Sequence, residues 1–168
     1  MPDLLYALSV KQPWAALLAA GRKTVEVRTW GAARRGSVLI HAAKVPDPRP
    51  EGWAALDTPE LKSLAGLQGG ILGVADLADC LRYPTPEAFA ADRARHLNAP
   101  GWFRPPQLFG FAFENARILP FAPWMGNTFF FAVPGYNFPE PAQEAGFPTT
   151  AVIWIDPPEG PRKGFPAP

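Results

Sequence analysis

The stretch Leu8–Trp30, LSVKQPWAALLAAGRKTVEVRTW, decides how the rest of the chain is read. An apolar strand runs into a polar corner, Lys11-Gln12-Pro13-Trp14. An apolar helix then stops at Gly21, and a second strand runs from Thr24 to Trp30. Pro13 suits the first turn of a helix, where its missing N–H has no partner to lose. Trp14, Leu17 and Leu18 share one helical face. Gly21 can take the left-handed conformation that ends a helix. Side chains alternate faces along a strand. Val25 and Val27 therefore read as the core side, while Thr24, Glu26, Arg28 and Trp30 share the other side. A carboxylate, a guanidinium and an indole in file are read as the wall of a pocket. The plain alternative is a solvated ion-pair cluster of little energetic consequence.

Working outward, Leu4–Val10 and Ser37–Ala43 (SVLIHAA) read as strands flanking this unit. Positions 46–59 read as a proline-studded loop. Thr58-Pro59-Glu60 and Thr85-Pro86-Glu87 each pair an N-cap with proline and an acid. They open a helix to about Ala65 and another through Ala88–Leu97. Ile71–Leu77, Leu108–Phe113, Gly126–Val133 and Thr149–Asp156 read as strands, and Asn115–Phe121 as a continuation or partner of Leu108–Phe113. Many short strands with few short helices predict a mainly β fold with an N-terminal helix between the first two strands, closed as a small barrel. One domain is expected over 1–156, with loop insertions near 45–68 and 134–148 and a proline-rich tail at 157–168.

Composition supports a packed core: 48% of the 168 residues are hydrophobic and 18% charged. Net charge is +1, but unevenly placed. Ser9 to Lys44 holds seven basic residues and one acid, a segment charge of +6 against −5 for the remainder. Such a patch points to an anionic partner. The single cysteine, Cys80, permits no intramolecular disulfide, and no apolar run is long enough to cross a bilayer, so a cytoplasmic location without membrane contact is expected. With two histidines, one cysteine and no ligand spacing, no metal is expected, and without a glycine-rich phosphate loop no nucleotide cofactor is expected either. Cys80 reads as a small buried hydrophobe rather than a nucleophile. His41 reads as a half-buried strand histidine that could serve as a base.

The residues Leu8-Ser9-Val10-Lys11-Gln12-Pro13-Trp14-Ala15 and Gly21–Trp30 together resemble the ASCH family, whose signature is G-x-K-x-x-E-x-R. Ser37–Lys44 and Gly70–Val74 resemble strands that follow it there, so that the likeness covers about positions 4 to 80. A weaker echo lies at Phe109–Val133. The resemblance implies a barrel similar to the PUA domain with a basic cleft, and a role near RNA. Some small bacterial members hydrolyse the amide of acetylated cytidine with a lysine and a threonine inside the signature. Here the lysine position is Lys23, while Glu26 stands at the threonine's place.

Two functions follow. In the first, the cleft binds RNA, another single strand, or a nucleoside or nucleotide through Lys11, Gln12, Lys23, Glu26, Arg28, Trp30, His41 and Lys44. In the second, the same cleft is an amidohydrolase or other hydrolase acting on a modified nucleoside or RNA, with Lys23 and Glu26 catalytic. A third possibility is a protein-interaction surface built on the aromatics Trp102–Phe103 and Trp124–Met125.

Overall fold

Helix α1 (Trp14–Ala19) is held at both ends by what its sequence dictates. Gly21 adopts φ +73°. The N–H groups of Gly21 and Arg22 close back onto the carbonyls of Leu18 and Leu17. All six helical residues are buried, so a single short helix plugs the core. It lies tightly against the sheet. A Cβ on Gly73 would come within 2.6 Å of Ala19 Cβ, so only glycine allows this approach.

The computed structural model describes residues 4–139. Around α1 the chain lays down β1 (Tyr6–Val10), β2 (Val25–Arg28), β3 (Gly36–Ala42), β4 (Gly70–Tyr83), β5 (Leu108–Pro123) and β6 (Phe130–Ala132). Helices α2 (Pro50–Ala54), α3 (Pro59–Ala65), α4 (Pro86–Ala91) and α5 (Arg93–His96) fill the connections, with a 3-10 turn at Pro100–Trp102. The architecture is thus mainly β with short helices. Thr58 and Thr85 cap α3 and α4 by accepting the N–H groups of Leu61 and Ala88.

Among the described residues the strands form one sheet in the order β2-β5-β4-β3-β1-β6. β1 and β3 are parallel, and the other pairs are antiparallel. Asn115–Phe121 continues β5, which runs for 16 residues beside the 14 of β4. Three register shifts interrupt that ladder. Each such irregularity bends the strands and increases their twist.

Among the described residues the hydrogen bonding does not close the sheet into the expected barrel. β2 pairs only with β5 and β6 only with β1, leaving both as edges. Side chains bridge β2 and the residues after it to β1 and β6 instead. Arg28 Nη2 donates to the Ser9 carbonyl at 2.9 Å, and Trp30 packs edge-on against Phe130 at 5.6 Å. The seam between the edges is the cleft described below.

Other departures are local. Pro50–Ala54 forms a helix where a loop is predicted, with Pro50 at a position that tolerates it. The helix expected through Leu97 breaks at Asp92 into α4 and α5, and Leu97 ends it in the left-handed region. Of the strand expected over Gly126–Val133, Phe130–Ala132 forms β6, and the Val133 N–H extends the pairing to the Leu5 carbonyl at 2.8 Å. The strand expected at 149–156, most of the 134–148 loop and the tail lie outside the described residues. No described helix is long and apolar enough to cross a membrane.

Candidate functional site

Strand β2 pairs with β5 so that Glu26 lies opposite Phe111 and Arg28 opposite Phe109. Val25 is fully buried, while Val27 is half-buried against Tyr83, Phe89 and Leu108. Glu26 and Arg28 face the seam as the alternation predicts. The Glu26 carboxylate takes the Arg28 guanidinium on Oε2 at 3.1 Å and the Lys23 ammonium near Oε1 at 3.6 Å. Oε1 also accepts the Val27 N–H at 3.2 Å.

The two cations differ. Arg28 is partly exposed and lines a cleft of about 610 Å³. Lys23 is only 1% exposed and does not line it. Its ammonium donates to the His96 carbonyl and, at 2.7 Å, to Asn98 Oδ1, and it sits 4.8 Å over the Trp14 ring. Burial pushes the Lys23 pKa down to about 8, against the pull of Glu26. Lys23 is therefore a clamp beneath the site that ties β2 to the segment after α5.

Gln12 does not reach a ligand. It is fully buried, donates to the carbonyls of Leu64 (3.0 Å) and Leu67 (2.9 Å), and accepts the Ala16 N–H (3.0 Å). Its amide joins the loop after α3 to the start of α1, and so cannot read a base edge. His41 and Lys44 lie apart from the Glu26–Arg28 wall, in a neighbouring hollow of about 310 Å³ that shares Ser9, Ala43, Asn127 and Thr128 with the cleft. Both His41 ring nitrogens are engaged. Ser9 Oγ lies 3.0 Å from Nδ1, and the Trp124 carbonyl accepts from Nε2 at 2.8 Å. Burial lowers the His41 pKa and favours this neutral ring. Lys11 is exposed and lines the cleft, as does Trp30. The Trp30 indole is engaged by three rings, Phe111, Phe129 and Phe130. Cys80 lies outside the cleft lining, its sulfur taking the Ala32 N–H at 3.4 Å.

The far wall joins Trp14 and Trp102 to residues that sequence reasoning passed over, Asp47 and Arg49. Trp14, placed by the sequence on one helical face with Leu17 and Leu18, is buried and also forms part of this wall, its indole donating to Asp47 Oδ2 at 2.8 Å. Asp47 is itself buried and holds Arg49 in a fork at 2.9 and 3.0 Å. Burial raises the Asp47 pKa, but Arg49 and Trp14 outweigh it and hold the carboxyl below its ordinary range. Arg49 stacks at 3.4 Å over Trp102, whose indole donates to Glu51. Trp102 is thus part of the cleft rather than an isolated exposed patch. Asn98, Asn127, Thr128 and Phe129 complete the lining. The only local sign of Asp47 and Arg49 was their place in a proline-studded loop, where binding residues concentrate.

The remaining basic residues disperse. Arg22 pairs with Asp57 at 3.1 Å, Arg35 lies 3.6 Å from Asp79, and Arg34 covers Tyr6. The positive rim of the cleft is therefore Lys11, Arg28 and Arg49. Among the described residues no group of three or more His, Cys, Asp or Glu side chains could hold a metal ion.

The profile of the ASCH domain matches residues 8–123. The chain is 39% identical over 85 residues to "Activating signal cointegrator 1" of Homo sapiens and 38% identical over 85 residues to that of Mus musculus. Each alignment covers 45% of this chain, and the chain spans 14% of the length of these curated relatives. The crystal structure of ASCH from Zymomonas mobilis superposes with a TM-score of 0.51 at 14% identity, covering 70% of this chain and 72% of that one. A point mutant of the same protein gives 0.51 at 13% identity over 90% and 87%. At these identities the likeness is one of fold.

Proposed function

The chain belongs to the ASCH domain family, and from that premise we propose that its cleft binds single-stranded nucleic acid, RNA foremost, or a nucleotide of it. The observation that carries this reading is the Glu26–Arg28 pair, 3.1 Å apart, in the wall of a 610 Å³ cleft rimmed by Lys11 and Arg49. The Arg28 side chain keeps part of its surface open to the cleft, and a guanidinium fork suits an acceptor such as a phosphate or base carbonyl. Glu26, set between the Arg28 and Lys23 cations, offers carboxylate oxygens that can accept from a base amino or imide group. The aromatic lining offers faces to bases displayed on unpaired strands. Lys23 and Gln12 support the wall from behind, while His41 and Lys44 extend the reading into the adjoining hollow.

Titration of the protein with single-stranded RNA at several salt concentrations tests this. Three phosphate contacts from Lys11, Arg28 and Arg49 give a slope of about −2 in log K against log salt. Arg28→Ala lowers affinity and flattens the slope. Binding that is absent, or indifferent to salt, contradicts the reading.

The hydrolytic reading draws on Lys23, whose pKa falls to about 8 beside Glu26. Because the ammonium is enclosed, Glu26 is the member of that pair within reach of water or substrate. Mass spectrometry of acylated nucleosides incubated with the protein and with Glu26→Gln decides it: turnover lost in the variant supports hydrolysis, and no turnover leaves binding alone.

A further inference from the structure

Among the described residues three non-glycine positions adopt positive φ: Leu97 at 64°, Asn115 at 52° and Phe129 at 58°. This region is costly for a side chain with a Cβ and more so for a bulky one. Two of the three have evident reasons. Leu97 packs against the main core as it ends α5, and asparagine tolerates the left-handed region. Phe129 has neither. It is 58% exposed, so burial does not hold it there, and the side chain it carries is among the least suited to that backbone.

Its position supplies a reason. Phe129 lines the cleft, with its ring braced at 4.9 Å and 70° against Trp30. Trp30 itself is engaged by Phe111 and Phe130 as well, so the exposed aromatic surface at this end of the cleft belongs to Phe129. Its chain neighbours Asn127 and Thr128 also line the cleft. Asn127 Oδ1 accepts the Thr128 N–H at 2.8 Å, which orients the carboxamide and leaves its amino group to donate. An exposed ring beside an oriented amide, in a cleft also lined by Lys11 and Arg28, is the equipment for one base: a face to stack on, a donor for its carbonyl, and cations for its phosphate.

We propose that Phe129 is the stacking platform of the cleft, taking one unpaired or strand-end base, and that the site discriminates against duplex. The proposal rests on the nucleic-acid reading above and narrows it. The cleft volume of about 610 Å³ lies in the range of small-ligand sites and suits a nucleotide. In a duplex both faces of an internal base are already stacked and its edge is paired, so neither Phe129 nor Asn127 finds a partner.

The test uses the full chain and a short single-stranded RNA carrying 2-aminopurine at its end, beside the same RNA as a blunt duplex. The wild type is expected to bind the single strand at least about tenfold more tightly than the duplex and to quench the 2-aminopurine. Phe129→Ala is expected to lose about tenfold on the single strand, and the quenching with it, while duplex binding stays unchanged. Phe129→Trp, which keeps a stacking face, retains both. Because Phe129 is exposed, circular dichroism of the variants should match the wild type. Equal binding of single strand and duplex, or Phe129→Ala behaving as wild type while Arg28→Ala loses affinity, overturns the stacking proposal and leaves the nucleic-acid reading standing. No binding of either RNA at any salt overturns both.

Discussion

The polar residues of the signature segment and the cleft divide into two regions of opposite character. Beneath the cleft, Gln12 and Lys23 are sealed from solvent, and their polar atoms join pieces of chain far apart in sequence: Gln12 to Leu64 and Leu67, Lys23 to His96 and Asn98. At the lip, Lys11, Arg28, Arg49 and the 127–129 segment face the cleft. The two halves alternate within a few residues of one another. Polar residues in a motif can serve the scaffold or the ligand, and burial separates the two roles where residue type does not.

If the division is sound, substitutions in the buried half cost stability and those at the lip cost binding. Lys23→Ala is the most severe. It leaves Glu26 short of a cation and two acceptors of the 96–98 segment unpaired, at about 3–5 kcal/mol in chemical denaturation. Gln12→Ala strands the Leu67 carbonyl and the Ala16 N–H, takes one of its donors from the Leu64 carbonyl, and costs about 3 kcal/mol. A near-neutral result for either would erase the contrast.

Next in size is a pH effect. The Lys23 pKa is near 8 in the folded chain against an ordinary value of 10.5. The unfolded chain therefore holds the proton more tightly between those limits. Below pH 8 the cost of burying the charge is fully present, and as pH rises through 8 toward 10 that cost is relieved. Stability should rise on the order of 2 kcal/mol over this interval, and Lys23→Met should abolish the rise. Above pH 10 the Tyr83 hydroxyl, held protonated by burial and by Asp92, works in the opposite sense. Smallest in stability terms is Arg28→Ala, at about 1 kcal/mol or less for a partly exposed pair. Its RNA affinity nevertheless falls about tenfold, which sharpens the contrast from the other side.

Much of the scaffold was legible in local chemistry. The Gly21 stop, the Thr58 and Thr85 caps and the placing of Glu26 and Arg28 on one face follow from rules acting within a few residues. The burial of Lys23 was not legible, because its acceptors come from residues 96 and 98 and nothing near Lys23 announces them. Nor was the open seam. Whether β2 and β6 pair depends on the bends in β4 and β5, which register shifts decide rather than composition. The far wall escaped because Asp47 acquires its role only when Trp14 and Arg49 meet it in space. Phe129 carried no signal beyond its place in an apolar run, since its exceptional feature is a backbone angle.

Backbone amide NMR during titration with single-stranded RNA probes the central claim most directly. Shifts are expected to concentrate at Lys11, Glu26, Arg28 and the 127–129 segment, with the amides of Leu64 and Leu67 behind Gln12 unmoved. Shifts scattered over the outer face around Arg34 and Arg35, or none at saturating RNA, would contradict a ligand site in the seam.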